Sequence, residues 1–329
     1  MRRNGLGYRQ SGFILIVVLG AVLVLSALLF GFNQAARTNL NAADSFYRAE
    51  QLRSSAWAGL QVVTAAIRDV NDLTRDRRTA KLLTGKSTFS IADTSCSVTI
   101  TEESGLLNVN RLKGMTGQLD RQRIDQFLRL IDLTNRGHDD VPRIGYGIVP
   151  AVIDWTDADD EVTCLAFVQQ ENMGAERDYY ETREPPRSCR NAPIDTVDEL
   201  LSVRGFTPEI FERLRPFLTC RGDGKINMNT APKLVIESLS EQIDDALAQM
   251  IVGQRQLRPF GTTGELRNVP GMTDNIYQAI KDLITVNPTE RCYRVTSQAN
   301  AEDRKCTIEA VLRRNTQAGN VDMVSYREL

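Results

Sequence analysis

The chain holds one histidine, His138, and none of its six cysteines forms a C-x-x-C pair. Zinc sites draw on clustered Cys and His, so no ready set of zinc ligands is present. A surplus of either charge is also missing. Lys plus Arg number 40 and Asp plus Glu 42, a formal net charge of −2 at pH 7, which gives no overall attraction to a polyanion. Between Phe13 and Phe32 there is no charged residue at all. At about 1.5 Å per residue, that run reaches across a hydrocarbon core of about 30 Å, so a membrane helix is expected over 13–32. A secretory signal peptide has a shorter apolar stretch followed by a small-residue cleavage site, and neither occurs here. Arg2, Arg3 and Arg9 precede the run. By the positive-inside rule they hold the N-terminus in the cytoplasm and send the rest of the chain across.

No proline interrupts the chain from Phe32 to about Val70. Ala56, Leu60, Val63, Ile67 and Val70 recur at steps of three and four, which lays them on one helical face. One helix is therefore expected over 13–72, with Gly20 and Gly31 as candidate close-packing points in the membrane. From Thr88 to Val109 apolar and polar residues alternate, predicting two strands joined near Glu103–Gly105. Cys292–Gln298, Lys305–Leu312 and Met323–Arg327 read as three more. Strands at both ends with helices between them imply an α+β head over 88–115 and 289–329, with an inserted α-helical domain over 116–288. The six cysteines all follow the apolar run, where an oxidising periplasm permits disulfides. Cys164 and Cys189, flanking one acidic loop, are the preferred pair, although the sequence leaves the connectivity open.

Two features of the insertion carry chemistry. The first is an internal repeat: 198–218 aligns with 264–284, matching Glu199 with Glu265, Gly205 with Gly271 and Thr207 with Thr273. Each unit reads as a short helix, a glycine turn and a second helix capped by threonine. Such hairpins resemble helix-hairpin-helix modules, which bind nucleic-acid phosphates, yet the basic flanks that this needs are thin. Arg204 is offset by Glu209 and Glu212, and Arg267 by Asp274. A structural use is the stronger reading, and no nucleic-acid partner is expected. The second feature is a run of acidic residues, clustered as D-W-T-D-A-D-D-E (154–161) and G-A-E-R-D-Y-Y-E (174–181). Carboxylates at that density repel one another unless a hard cation sits among them, or they form a solvated acidic surface. The spacing is not that of an EF-hand, since the sixth position from Asp157 is Val162 where glycine is needed. Paired carboxylates also occur in glycosidases, but Trp155 alone gives a sugar little to stack on, and no catalytic residue is assigned.

The order of a short basic leader, Gly12, Phe13 and then the apolar run resembles a type IV prepilin leader, which prepilin peptidase cuts after the glycine before the new N-terminus is methylated. Residues 1–12 would be that leader. Most members of those families carry a glutamate at the fifth mature position; here that place is Val17. Together with DWTDAD, GAERDYY, PPRSCRNAPIDTVDELLSVRGFTPEIFERLRPFL, GKINMNTAP and FGTTGELRNVPGM, these features resemble the general secretion pathway protein K family. That resemblance implies a pseudopilin fold and a non-enzymatic minor pseudopilin at the tip of the type II secretion pseudopilus. Its implied partners are the minor pseudopilins I and J, prepilin peptidase, and the pseudopilus with its inner-membrane platform. It also implies bound calcium, for which Asp157, Asp159, Glu176 and Asp178 match acidic positions of the family's motifs. A DNA-binding tip protein of a competence filament and a minor pilin of a surface pilus are the alternatives.

Overall fold

Helix α1 (Tyr8–Asp69) runs for 62 residues, roughly 90 Å at the usual helical rise. The computed structural model to which it belongs describes residues 8–69, 86–91, 94–114, 117–137, 140–301, 304–314 and 320–329. The first part of α1 is apolar on every side, with a mean hydropathy of 3.1 over its most apolar window and none of that window buried. The last part is two-faced. Leu52, Ala56, Leu60, Val63 and Ile67 are all buried, at the three- and four-residue steps that give one helical face. Val70, expected on the same face, lies outside the described residues.

The strands are, in chain order, β1 (Lys86–Ile91), β2 (Thr94–Glu102), β3 (Leu107–Asn108), β4 (Leu218–Thr219), β5 (Ile226–Asn227), β6 (Ile284–Thr285), β7 (Arg291–Ala301), β8 (Arg304–Arg314) and β9 (Val321–Glu328). Five of them form one antiparallel sheet in the order β1-β2-β7-β8-β9. The buried stripe of α1 lies against Val98, Ile100, Tyr293, Val295, Ile308 and Leu312 of this sheet. Contact is closest at Gly59, where a Cβ would come within 2.4 Å of Ser297 Oγ and 2.6 Å of Cys96 Sγ. At the same place Ser297 Oγ donates to Ala56 O at 2.8 Å. By contrast, Gly20 and Gly31 have open space around them in this chain.

The strand turn expected at Glu103–Gly105 lies elsewhere. β1 and β2 pair outward from Ile91↔Thr94, and 103–105 is a 3-10 turn by which the chain leaves the sheet. Glu103 belongs to no surface turn: it is buried and accepts from Arg294 of β7 at 2.7 Å. The insertion therefore starts at Glu103, earlier than the expected residue 116.

The inserted residues form two lobes. In the first, the helices Arg121–Asn135, Ile148–Thr156 and Pro208–Leu214 share a core that includes Phe127, Ile131, Ile153 and Leu214. In the second, Lys233–Ser238, Asp245–Leu257 and Asp274–Ile280 pack around Met228, Ile236, Ile251 and Ile280. Each lobe is closed by a two-residue parallel pairing of its ends, β3 with β4 and β5 with β6.

The internal repeat is real and extends further than the hairpins. Gly205 and Gly271 both take φ +88°, a conformation glycine reaches at little cost. Thr207 and Thr273 cap the helices that follow, accepting from Ile210 N and Ile276 N at 3.3 Å each. Upstream, Leu107-Asn108-Val109-Asn110 and Ile226-Asn227-Met228-Asn229 play one role. Asn110 exchanges two hydrogen bonds with the backbone of Ile194, at 2.9 and 2.9 Å. Asn229 does the same with Phe260, at 3.0 and 2.8 Å.

Adding a methyl group at Gly59 should force α1 away from the sheet. Gly59→Ala is expected to cost about 1–3 kcal/mol in urea unfolding of the head lacking residues 1–36. Gly253→Ala, where a Cβ meets nothing within 4 Å, should instead gain about 0.4–1 kcal/mol, as a helical glycine replaced without strain does.

Candidate metal centre

The helix Ile148–Thr156 is buried on nearly every side and ends at Asp157, whose N–H donates to Ile153 O at 3.0 Å. The acidic loop thus starts from a rigid point. Inside that helix Asp154 is fully buried, and its Oδ1 accepts from Thr163 N at 3.0 Å. The chain then doubles back: Leu165 N donates to Asn172 O at 2.8 Å and Gly174 N to Thr163 O at 2.9 Å. This return brings Glu176 against the first acidic segment. Gly174 leaves room for the Asp154 carboxylate, since a Cβ there would sit 2.0 Å from Asp154 Oδ2. Asp159 is exposed, and its Oδ1 accepts from Glu161 N at 3.0 Å.

One oxygen each of Asp157, Asp159 and Glu176 lies within 4.8 Å of the others. Calcium–oxygen bonds run to about 2.3–2.6 Å, so a single ion can reach all three. Around them sit buried oxygens with no hydrogen-bond partner: Asp154 Oδ2, Asp157 Oδ1 and both oxygens of Glu176. Buried carboxylates without partners are costly, and the electrostatics register it. Glu176 is pushed up to about 7, first by burial and then by the charges of Asp154 and Asp157. Burial likewise raises Asp154 and Asp157, the latter against the opposing pull of Lys113. Asp159, by contrast, is held below its usual value by the Glu161 N–H. The Lys113 ammonium hydrogen-bonds Asp157 and lies 3.2 Å from Asp159 Oδ2. All ligand atoms of the group are hard carboxylate oxygens, which suit calcium or magnesium. The nearby Cys189 thiol is pushed up to about 11, mainly by burial.

Three of the four acidic residues assigned from the sequence meet here, and Asp178 does not. It stands exposed in the first turn of Arg177–Glu181. Asp154, Lys113 and Asn191 are the residues the sequence reading missed. Asp154 had a signal, a lone carboxylate in the apolar run IVPAVIDW. Asn191, at φ +48°, donates to Asp159 O and Asp160 Oδ1 at 2.9 Å each. The expected Cys164–Cys189 disulfide is not formed, and all six cysteines are free. Cys164 is exposed on the doubled-back strand opposite Met173, whereas the Cys189 thiol points inward and donates to Asp154 O at 3.7 Å. Gly12, Phe13 and Val17 all lie within α1, with Phe13 and Val17 exposed.

A carboxyl group whose value rises on folding stabilises the fold while protonated and loses that contribution as pH climbs through the folded value. For Glu176 the window runs from its ordinary 4.5 to about 7. In chelator, Glu176→Gln should therefore match the wild-type melting temperature near the bottom of that window and exceed it above the top. Parallel melting curves across the window would contradict the assignment.

Similarities to known proteins follow the same division of the chain. Two family models, both described as type II secretion system (T2SS), protein K, match residues 105–223 and 226–287. These are the two lobes. The type II secretion system protein K of Aeromonas hydrophila is 35% identical over 85 residues, 25% of this chain and 24% of that protein; the chain thus matches about a quarter of that relative's length. A chain of the GspK-GspI-GspJ complex from the type 2 secretion system of enterotoxigenic Escherichia coli shares the fold, with a TM-score of 0.63 at 18% identity, covering 86% of this chain and 98% of that one. Since the two family models together cover more than half of its residues, the chain belongs to the type II secretion system protein K family.

Proposed function

We propose that this chain is the minor pseudopilin that ends the type II pseudopilus, a non-enzymatic part of the machinery that exports proteins across the outer membrane. The observation that carries this is the two-lobed insertion mounted on the sheet beside α1. A head of that width, repeated at each subunit of a helical fibre, would collide with its neighbours, while at the end of the fibre it meets only the subunits below. Val17 agrees. With no carboxylate in its apolar segment, the chain has nothing to offer the amine of an adjacent subunit. The basic residues Arg2, Arg3 and Arg9 favour a cytoplasmic N-terminus and a periplasmic head.

A DNA-binding reading finds little support at the hairpins. The Arg204 guanidinium donates to Gly174 O at 2.9 Å and lies over Tyr179. Arg267 lies over Tyr277 and pairs with Asp274 at 3.2 Å. Both are engaged within their own lobes.

The partners in this reading are prepilin peptidase, the minor pseudopilins I and J, and the inner-membrane platform. Co-expressed with a prepilin peptidase, the protein should lose Met1–Gly12 by mass spectrometry, and Gly12→Val should keep them. The head lacking residues 1–36 should elute as one ternary complex with the heads of I and J. An intact leader in the wild type, or a head that elutes alone, would count against the pseudopilin role.

Calcium is the proposed occupant of the carboxylate cluster. Asp157, Asp159 and Glu176 would hold it, and the unpartnered oxygens of Asp154 and Glu176 fit a cation better than they fit a solvated surface. Bound there, the ion supplies positive charge that ties the two acidic segments together. Calcium in hundredfold excess over Kd should stabilise the head by about 2.7 kcal/mol. Magnesium should do less, because it demands tight octahedral geometry. Asp157→Ala combined with Asp159→Ala should abolish the difference, and a melting curve indifferent to calcium after exhaustive chelation would return these groups to a plain acidic surface.

A further inference from the structure

Lys113 is held on a firm base. Leu112 before it is buried, Leu112 O accepts from Asp120 N at 2.9 Å, and Gly114 N donates to Gln118 O at 2.7 Å. These bonds tie residues 112–114 to 118–120 just before the helix Arg121–Asn135. From this base the side chain, 21% exposed, bonds Asp157, 7% exposed, and reaches Asp159 at 3.2 Å. These are two of the three carboxylates that converge. The third, Glu176, is 4% exposed and has no hydrogen-bond partner on either oxygen. The ammonium thus serves part of the cluster and leaves its most buried member unserved.

We propose that Lys113 is a built-in counter-ion that competes with the divalent cation for Asp157 and Asp159, holding the site together without metal and leaving for solvent when metal binds. This rests on the calcium reading above and deepens it. A lysine is a compact point charge on a flexible four-carbon stem, so it can swing out while its backbone stays in place. A divalent ion brings twice the charge and also reaches Glu176. Two cations held a few ångströms apart in a largely buried site repel strongly, so one displaces the other. The net metal affinity is then the difference between ion binding and lysine binding, and the loop does not need metal in order to fold. Lys113 sits between β3 and the helix Arg121–Asn135, so the exchange couples the acidic loops to the segment by which the chain enters the first lobe.

The test uses the full chain in detergent. Lysines are labelled briefly with an acetylating reagent, in chelator or in calcium, and read by mass spectrometry with the exposed Lys281 as reference. Lys113 should be protected in chelator and should approach the reactivity of Lys281 in calcium. By calorimetric titration, Lys113→Met should bind calcium roughly tenfold more tightly than wild type, because a like charge has left the site. If the wild type binds calcium while Lys113 stays protected, the ammonium and the ion coexist; the exchange is then wrong and the calcium reading stands. If neither wild type nor Lys113→Met binds calcium, both fall. Should the variant fail to fold, labelling of the wild type alone still decides.

Discussion

The packing of α1 on the sheet is the constraint from which the rest of the molecule follows. One continuous helix must be apolar all round at one end and two-faced at the other, and at Gly59 it comes so close to β2 and β7 that a side chain does not fit. β2 pairs with β7 up to its own last residue, Glu102 opposite Tyr293. The insertion therefore leaves and re-enters the sheet at one point. Since the ladder already holds the two ends together, the loop between them can grow large at little further entropic cost. A pseudopilin head can carry two extra lobes without disturbing its register.

Buried charge fixes how the first lobe meets the sheet. Glu103 and Arg294 are joined at 2.7 Å, with Thr219 Oγ1 donating to Glu103 at 3.1 Å. Nearby, Glu309 of β8 bonds Arg215 of the lobe and lies 3.3 Å from Arg327 of β9, which also reaches Asp198 at 2.7 Å. Burial would raise Glu309, but Arg215 and Arg327 hold it below its usual value. Such pairs add little net stability compared with an apolar contact, yet removing one partner strands the other. These pairs tie Arg215 and Asp198 of the first lobe to β8 and β9 of the sheet.

Much of this was legible in the sequence, because the readable parts are periodic or local. The stripe from Ala56 to Ile67, the three C-terminal strands and the Gly205/Gly271 hairpins each announce themselves within a short window. What stayed hidden depends on contacts across the fold. Gly59 looks like any helical glycine until Ser297 arrives beside it. Asn110 and Asn229 are equivalent only once Ile194 and Phe260 are placed against them. Lys113 stands 44 residues from Asp157, and no spacing rule links the two. The acidic cluster was half visible: composition located it, but Asp178 points away while Asp154 faces inward, a choice made by the helix Ile148–Thr156 and by the short helix that begins after Glu176.

The claim on which the account stands is position at the end of the fibre. Pseudopili assembled with an epitope-tagged form of this chain and labelled with gold-conjugated antibody should carry label at one end of each fibre and none along the shaft. Label distributed along the length would show that the wide head is tolerated in the helical lattice, and would contradict the account.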